Sequence, residues 1–205
     1  MTRALLLQLP VPRLNYGVHT GNIPLGAACL KQAARHVSGV QVDILPESIA
    51  AYLGDAALLD IILKQKPDII GFTVYCWNLE RSLYFARKLK EQYAPRIVFG
   101  GPEITPDNQA IISGAVDFYV YGEGEASFLN LLEDPTTWQK KSAMEPVGTL
   151  FKNSPSPYLQ NLLEPEIENV MLLETHRGVS HSIEFVAEHD LADDVQVFPR
   201  IPGTR

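Results

Sequence analysis

The sequence is short of cysteine, of clustered positive charge and of long apolar runs, and each shortage narrows what the chain can do. Two cysteines occur in 205 residues, Cys29 and Cys76, each inside an otherwise apolar segment. Their number and spacing supply neither a disulfide framework nor a zinc site, and a reducing cytoplasm is the natural setting. Both thiols read as small buried hydrophobes. Lys and Arg number 17 against 24 Asp and Glu, a net charge of −7, with no basic run. That balance argues against nucleic acid or an anionic membrane as a primary partner, since either favours a basic face. No apolar stretch approaches the roughly 20 residues that span a bilayer. The apolar start is too short for a signal peptide and is interrupted by Pro10 and Pro12. A soluble cytoplasmic protein is expected.

What is present is an ordinary globular balance, 46% hydrophobic and 20% charged, enough for one domain with an appendage. Residues 4–9 form an apolar run stopped by prolines, which suits a buried strand. A loop rich in Gly, Pro and Asn follows to residue 22. Pro24 then sits where a first-turn proline is tolerated, ahead of a helical pattern over 25–36. Further strands are predicted at 40–45, 69–75, 96–99 and 118–121, with helices at 55–66, 79–93, 107–113 and 126–132. Asn78 stands where a helix cap belongs.

Five β units joined by helices predict a flavodoxin-like or Rossmann-like α/β fold, a doubly wound parallel five-stranded sheet with helices on both faces. Ligands of such sheets bind beyond the carboxyl ends of the strands, where strand order reverses. The loops 10–22, 75–78, 100–105 and 122–125 therefore carry the functional weight. The expected division is a domain over 1–133, a proline-rich linker over 134–168 that packs on something, and an extension over 169–205 with one more strand at 169–173.

Four short pieces fall in order near strand and helix ends: Ile23-Pro-Leu-Gly-Ala, Pro67-Asp-Ile-Ile-Gly-Phe-Thr-Val-Tyr-Cys-Trp-Asn, Phe99-Gly-Gly-Pro-Glu-Ile-Thr and Tyr121-Gly-Glu-Gly-Glu. Each is weak alone. As an ordered set, from Leu5 to about Leu132, they resemble the N-terminal cobalamin (B12)-binding domain of class B radical-SAM enzymes. Ser156-Pro-Tyr-Leu resembles the segment that joins that domain to the radical-SAM barrel, and Leu173-Glu-Thr-His-Arg-Gly its first barrel strand. Where the family has the three cysteines of a CxxxCxxC loop, Val179, Ile183 and Val186 stand here. Aliphatic side chains offer iron no lone pair, and the residues remaining to Arg205 are too few for a barrel of about 200 residues. The expectation is a truncated, degenerate radical-SAM start that holds no [4Fe–4S] cluster and no SAM. Its tail from Val179 is expected to be loosely held, because a lone barrel strand lacks neighbours.

The resemblance implies a cobalamin-binding module. A flat corrin needs a broad apolar floor with few polar anchors, and its nucleotide tail needs a slot between sheet and helices. The implied contacts are Pro10, Asn15, Tyr16, Gly17 and His19 in the first loop, Thr73, Val74, Tyr75, Trp77 and Asn78 after the third strand, Gly100, Gly101, Pro102 and Glu103 after the fourth, and Tyr121, Gly122, Glu123 and Gly124 after the fifth. The bland readings stand beside these: Gly100-Gly101 as a tight turn, Thr73 as an ordinary strand residue, Asn78 as a cap first and a ligand contact second. Glu125 reads as a carboxylate favoured by the dipole of the helix it opens. The DxHxxG motif that gives cobalt a histidine is absent. His19, in Tyr16-Gly-Val-His-Thr-Gly, lacks its aspartate and spacing and reads as a solvated residue rather than a cobalt ligand. The resemblance thus implies a corrinoid bound base-off. His176, Arg177, His181 and His189 have no metal-site spacing and read as solvent-facing.

No catalytic residue is assigned. Any chemistry needs a separate radical-SAM or methyl-transfer partner to supply reductant, SAM cleavage and substrate site. One alternative is a cofactor-free degenerate domain serving as an interaction or regulatory protein. Another is an FMN-type flavodoxin, which lacks support because Pro10-Val-Pro-Arg-Leu-Asn stands where a Ser/Thr-rich phosphate loop belongs.

Overall fold

A computed structural model describes residues 1–10, 22–145, 155–163 and 172. Six parallel strands, β1 (Thr2–Leu7), β2 (Val40–Ile44), β3 (Ile69–Thr73), β4 (Arg96–Gly100), β5 (Phe118–Gly122) and β6 (Ser142–Glu145), form one sheet in the order β2-β1-β3-β4-β5-β6. The connections include helices α1 (Leu25–Ala34), α2 (Glu47–Tyr52), α3 (Asp55–Gln65), α4 (Leu79–Gln92) and α5 (Glu125–Glu133). The chain steps from β1 outward to β2, then returns past β1 to β3 and continues the other way. Strand order therefore reverses at β1, and the crevice of a doubly wound sheet opens between β1 and β3.

The strands alternate cleanly between two cores, as a pleat with period two demands. Leu5, Leu7, Ile70, Phe72, Ile97 and Phe99 face α3 and α4, meeting Leu58, Ile62, Leu83, Phe85, Ala86 and Leu89. Ala4, Leu6, Ile69, Val98, Phe118 and Val120 face α1 and α5, meeting Ala27, Ala34, Phe128 and Leu131. Burial on both sheet faces is why the strands read as continuous apolar runs.

The sheet extends further than the sequence suggested. Residues 135–140 form a 3₁₀ turn that begins beside Asp134, whose carboxylate accepts from the Thr136 amide at 2.8 Å. The Thr136 hydroxyl, which donates to the same carboxylate at 2.7 Å, and that amide hold the Asp134 carboxyl below its usual range. The chain then adds β6 along β5. Ser-Ala-Met-Glu has no β-branched residue, so nothing local announced this edge strand. Helix α2 was likewise unforeseen, and the helix expected at 107–113 is a single 3₁₀ turn, Gln109–Ile111. Part of the expected linker docks on α1. Tyr158 and Leu163 pack with Ile23 and Ala28, the Gln32 Nε2 donates to the Pro155 carbonyl at 2.6 Å, and the Tyr158 hydroxyl bonds the backbone of Leu172. The expected strand at 169–173 and the tail from Val179, including His176, Arg177, His181 and His189, fall outside the described residues, Leu172 apart. No helix among the described residues is long and apolar enough to cross a membrane.

At the far end of α4, burial and the nearby Asp68 carboxylate push the Tyr93 phenol up to about 12. An unfolded tyrosine titrates near 10, so the folded chain holds this proton more tightly. The resulting stabilisation is complete below pH 10 and is lost as pH climbs from 10 to about 12. Tyr119 and Tyr158 move the same way through burial. The Tyr93 hydroxyl is buried with no hydrogen-bond partner among the described residues. Tyr93→Phe is therefore expected to remove this residue's share of the alkaline loss and to leave neutral-pH stability unchanged or about 1 kcal/mol higher. Unfolding midpoints measured at pH 7 and pH 11 check both arms.

Candidate functional site

The carboxyl ends of β1, β3 and β4 converge on one set of backbone and carboxamide groups. Beyond β3 the chain turns through Val74 and Tyr75 into Asn78, the residue before α4. The Asn78 side chain does not cap that helix, contrary to the expected role. Its Nδ2 donates to the Leu9 carbonyl at 2.9 Å and the Thr73 carbonyl at 3.1 Å, and its Oδ1 accepts from the Tyr75 amide at 2.8 Å. Asn78 is fully buried. Its amide ties the end of β1 to the end of β3, and these three bonds all run to the protein's own backbone.

Gly101 follows β4 with φ of +114°, and a Cβ there would lie 2.6 Å from the Val74 carbonyl oxygen and 2.8 Å from its nitrogen. Glycine is required because two backbones meet: the Val74 amide donates to the Gly100 carbonyl at 2.7 Å, and the Glu103 amide donates to the Val74 carbonyl at 3.2 Å. At Gly100 a Cβ would meet only Val120 at 3.6 Å, ordinary contact. Pro102 is exposed. The Glu103 carboxylate turns back into its own loop and accepts from Asn108 Nδ2 at 2.8 Å.

Tyr75 and Trp77 stack with ring centroids 4.4 Å apart and planes 6° from parallel. Trp77 is 43% exposed, so the pair presents flat apolar surface beside the β3 end. Cys76 between them is exposed, against the expectation of a buried thiol, while Cys29 is half-buried. After β5, Tyr121 packs against the α3/α4 core, Gly122 adopts φ of +75°, and Gly124 precedes α5. Glu123 and Glu125 are both buried and both engaged. Glu125 lies in the first turn of α5, where its charge suits the dipole.

The buried Pro10 lies just past β1. Asn15, Tyr16, Gly17 and His19 lie outside the described residues. Two residues at the base of that loop escaped the sequence reading. The Gln8 Nε2 donates to Asn22 Oδ1 at 3.0 Å and to the Ile23 carbonyl at 3.2 Å, and Asn22 Nδ2 donates back to the Gln8 carbonyl at 3.0 Å. The available signal was a glutamine inside an apolar strand run, since a buried polar side chain in such a place needs partners. A groove of about 170 Å³ between α1, β2 and residues 160–162 lies away from this edge. It is below the roughly 300 Å³ at which ligand pockets begin. Among the described residues no cluster of three or more His, Cys, Asp or Glu is arranged to hold a metal.

The aromatic pair, the double glycine and the buried carboxamides all lie at the carboxyl-terminal edge of a doubly wound parallel sheet, where ligands of such folds bind. The family model described as the B12 binding domain matches residues 18–132, and the chain belongs to that family. It is 28% identical over 148 residues to the cobalamin-dependent radical SAM methyltransferase TokK of Streptomyces tokunonensis, covering 58% of this chain and 22% of that protein. It is 26% identical over 147 residues to the 2-(S-pantetheinyl)-carbapenam-3-carboxylate methyltransferase of Streptantibioticus cattleyicolor, covering 58% of this chain and 22% of that protein. The chain thus spans about a fifth of the length of these curated relatives. Its fold is also that found in the radical S-adenosylmethionine methyltransferase TsrM of Kitasatospora setae, with a TM-score of 0.50 and 17% identity over 64% of this chain and 25% of that one.

Proposed function

We propose that this domain binds cobalamin base-off, across the carboxyl ends of β1, β3, β4 and β5, and works with a radical-SAM or methyl-transfer module. The observation that carries the reading is the Tyr75–Trp77 pair at the reversal point of a B12-family sheet. It offers the broad apolar floor that a flat macrocycle needs. The residues present fit the group in two further respects. Gly100 keeps open the space a Cβ would fill, and Gln8 Oε1 is buried at the β1 end with no partner among the described residues. That acceptor suits the primary-amide periphery of a corrinoid, which is rich in N–H donors.

Pro10, Thr73, Val74, Tyr75, Trp77, Gly100 and Tyr121 to Gly124 would line the cofactor, joined by Asn15, Tyr16 and Gly17 of the first loop. When bound, the corrinoid supplies cobalt-centred group-transfer chemistry. The chain's own part is to seat and orient it and to exclude water from one face. Support for base-off binding is the missing DxHxxG motif, with His19 outside any such pattern. Support for cluster chemistry residing elsewhere is the Val179, Ile183 and Val186 set, which offers iron no ligand. The relatives' names, both methyltransferases, support methyl transfer as the partner's chemistry. Two cysteines outside any disulfide support a reducing cytoplasm as the setting.

The test is a visible-absorption titration with hydroxocobalamin followed by gel filtration. Corrin absorbance is expected to co-elute with a shifted spectrum. After reduction by an added chemical reductant, the bound cob(II)alamin is expected to show no nitrogen splitting from an axial base in its electron paramagnetic resonance spectrum, with His19→Ala unchanged. Corrin that elutes entirely free would sink the reading and leave a cofactor-free fold used for protein contacts.

A further inference from the structure

Beyond its last ladder position β1 continues through Gln8 and Leu9 with no strand beside it among the described residues. The pairing with β2 ends at Leu6 opposite Ile44, and that with β3 at Leu7 opposite Phe72. Two buried carbonyls are left where the sheet parts, and buried backbone acceptors need partners. Each receives one from a carboxamide. Asn22 Nδ2 bonds the Gln8 carbonyl at 3.0 Å, and Asn78 Nδ2 bonds the Leu9 carbonyl at 2.9 Å. The two asparagines arrive from opposite faces of the sheet: Asn22 lies just ahead of α1 and Asn78 just ahead of α4. Asn22 is locked in turn by Gln8 Nε2, and Asn78 by the Tyr75 amide and the Thr73 carbonyl.

We infer that Gln8, Asn22 and Asn78 form a carboxamide brace, a set of positioning residues that bridges the parted β1 and β3 ends and fixes the seat of the Tyr75–Trp77 pair. The ligand in this inference rests on the cobalamin reading; the brace itself does not. Only a carboxamide supplies two donors and an acceptor without charge. An aspartate at 78 would set a carboxylate against the Leu9 and Thr73 carbonyls, and an alanine takes this partner from one buried and two half-buried backbone groups. Because Asn78 Oδ1 holds the Tyr75 amide, its loss frees the first residue of the aromatic pair. Because Asn22 and Gln8 close the base of the loop that joins β1 to α1, their loss frees the other side of the crevice.

Trp77 and Trp138 are the chain's only tryptophans, so a Trp138→Phe background makes Trp77 emission a private reporter of the stack. In that background Asn22→Ala, Asn78→Ala and Leu89→Ala are compared. Leu89 is fully buried in the same helix as the Asn78 junction, but about 16 Å further along it, and serves as the control for lost stability alone. Hydroxocobalamin affinity is measured where every variant is folded, with Trp77 emission and amide-hydrogen exchange alongside. Asn22→Ala and Asn78→Ala are expected to weaken binding about tenfold or more. Asn78→Ala is also expected to red-shift Trp77 emission and speed exchange at residues 73–78, and Asn22→Ala to speed it at 8–10. Leu89→Ala is expected to match the parent in all of these. Brace variants that behave like Leu89→Ala would overturn the inference. If the parent binds no corrinoid, the cobalamin reading fails, and the brace is still judged by emission and exchange. Should Asn78→Ala not fold, Asn22→Ala and its exchange at 8–10 carry the comparison.

Discussion

Gly101→Ala is expected to cost the fold about 3–5 kcal/mol, while Gly100→Ala, one residue earlier, stays within about 1 kcal/mol of the parent. The difference comes from what each Cβ would meet. At 101 the added carbon lies 2.6 and 2.8 Å from the backbone of Val74, at a φ of +114° that side chains avoid. Backbone cannot swing aside as a side-chain tip can, so β3 and β4 must separate at their ends. That breaks the bonds from Val74 to Gly100 and from Glu103 to Val74. The loss is a third or more of the whole stability of a small-to-middling domain, and thermal unfolding is expected to shift down by about 10 °C. A Gly101→Ala variant that melts within a degree or two of the parent would contradict this account. Gly100→Ala asks a second question. Its Cβ has room, so a variant of unchanged stability but weaker corrinoid binding would give the double glycine two separate jobs: one residue closes the turn and the other leaves space for the ligand.

How much of this was legible in the sequence depended on whether the cause was local. Strands β1 and β3 to β5 announced themselves as apolar runs between prolines and glycines, because burial on both faces confines polar side chains such as Arg3, Thr73 and Arg96 to the strand ends. The order of those runs and the helices between them gave the doubly wound class. Strand β6 did not announce itself, since Ser142–Glu145 gains its strand character only from pairing with β5. Asn78 was legible as a residue that matters, but its role was not. The position before a helix suggests a cap, whereas its decisive bond runs to Leu9, 69 residues away. Gln8 and Asn22 went unnoticed for the same reason, each looking ordinary until the other is brought to it. Gly101 was singled out as a cofactor contact or a tight turn, and the group that meets it among the described residues is the Val74 backbone. Cys76 misled because an apolar sequence neighbourhood does not fix the direction of a residue in a turn. Its neighbours Tyr75 and Trp77 stack on one another, and the thiol is left exposed.

That stack leads to the largest expected effect on binding. Trp77→Ala is expected to lower hydroxocobalamin affinity by about 30- to 100-fold, roughly 2–3 kcal/mol, when measured where the variant is folded. Trp77 is 43% exposed, and a ligand laid on the pair would cover that remaining apolar area. The larger, buried part of the ring already serves the fold, so the variant is also expected to lose about 2 kcal/mol of stability. Trp77→Phe keeps a flat ring and is expected to bind within about fivefold of the parent. Tyr75→Ala is expected to fall between, because its half-buried ring gives the ligand less area and supports Trp77 from beside it. Visible titrations of the three variants, read with their melting temperatures, decide the matter. A loss graded with ring area among folded variants places the corrin on this pair. Equal affinity in all three would mean that the cofactor's floor lies on another part of the strand ends, with Tyr121 and the glycines after β5 the next residues to replace.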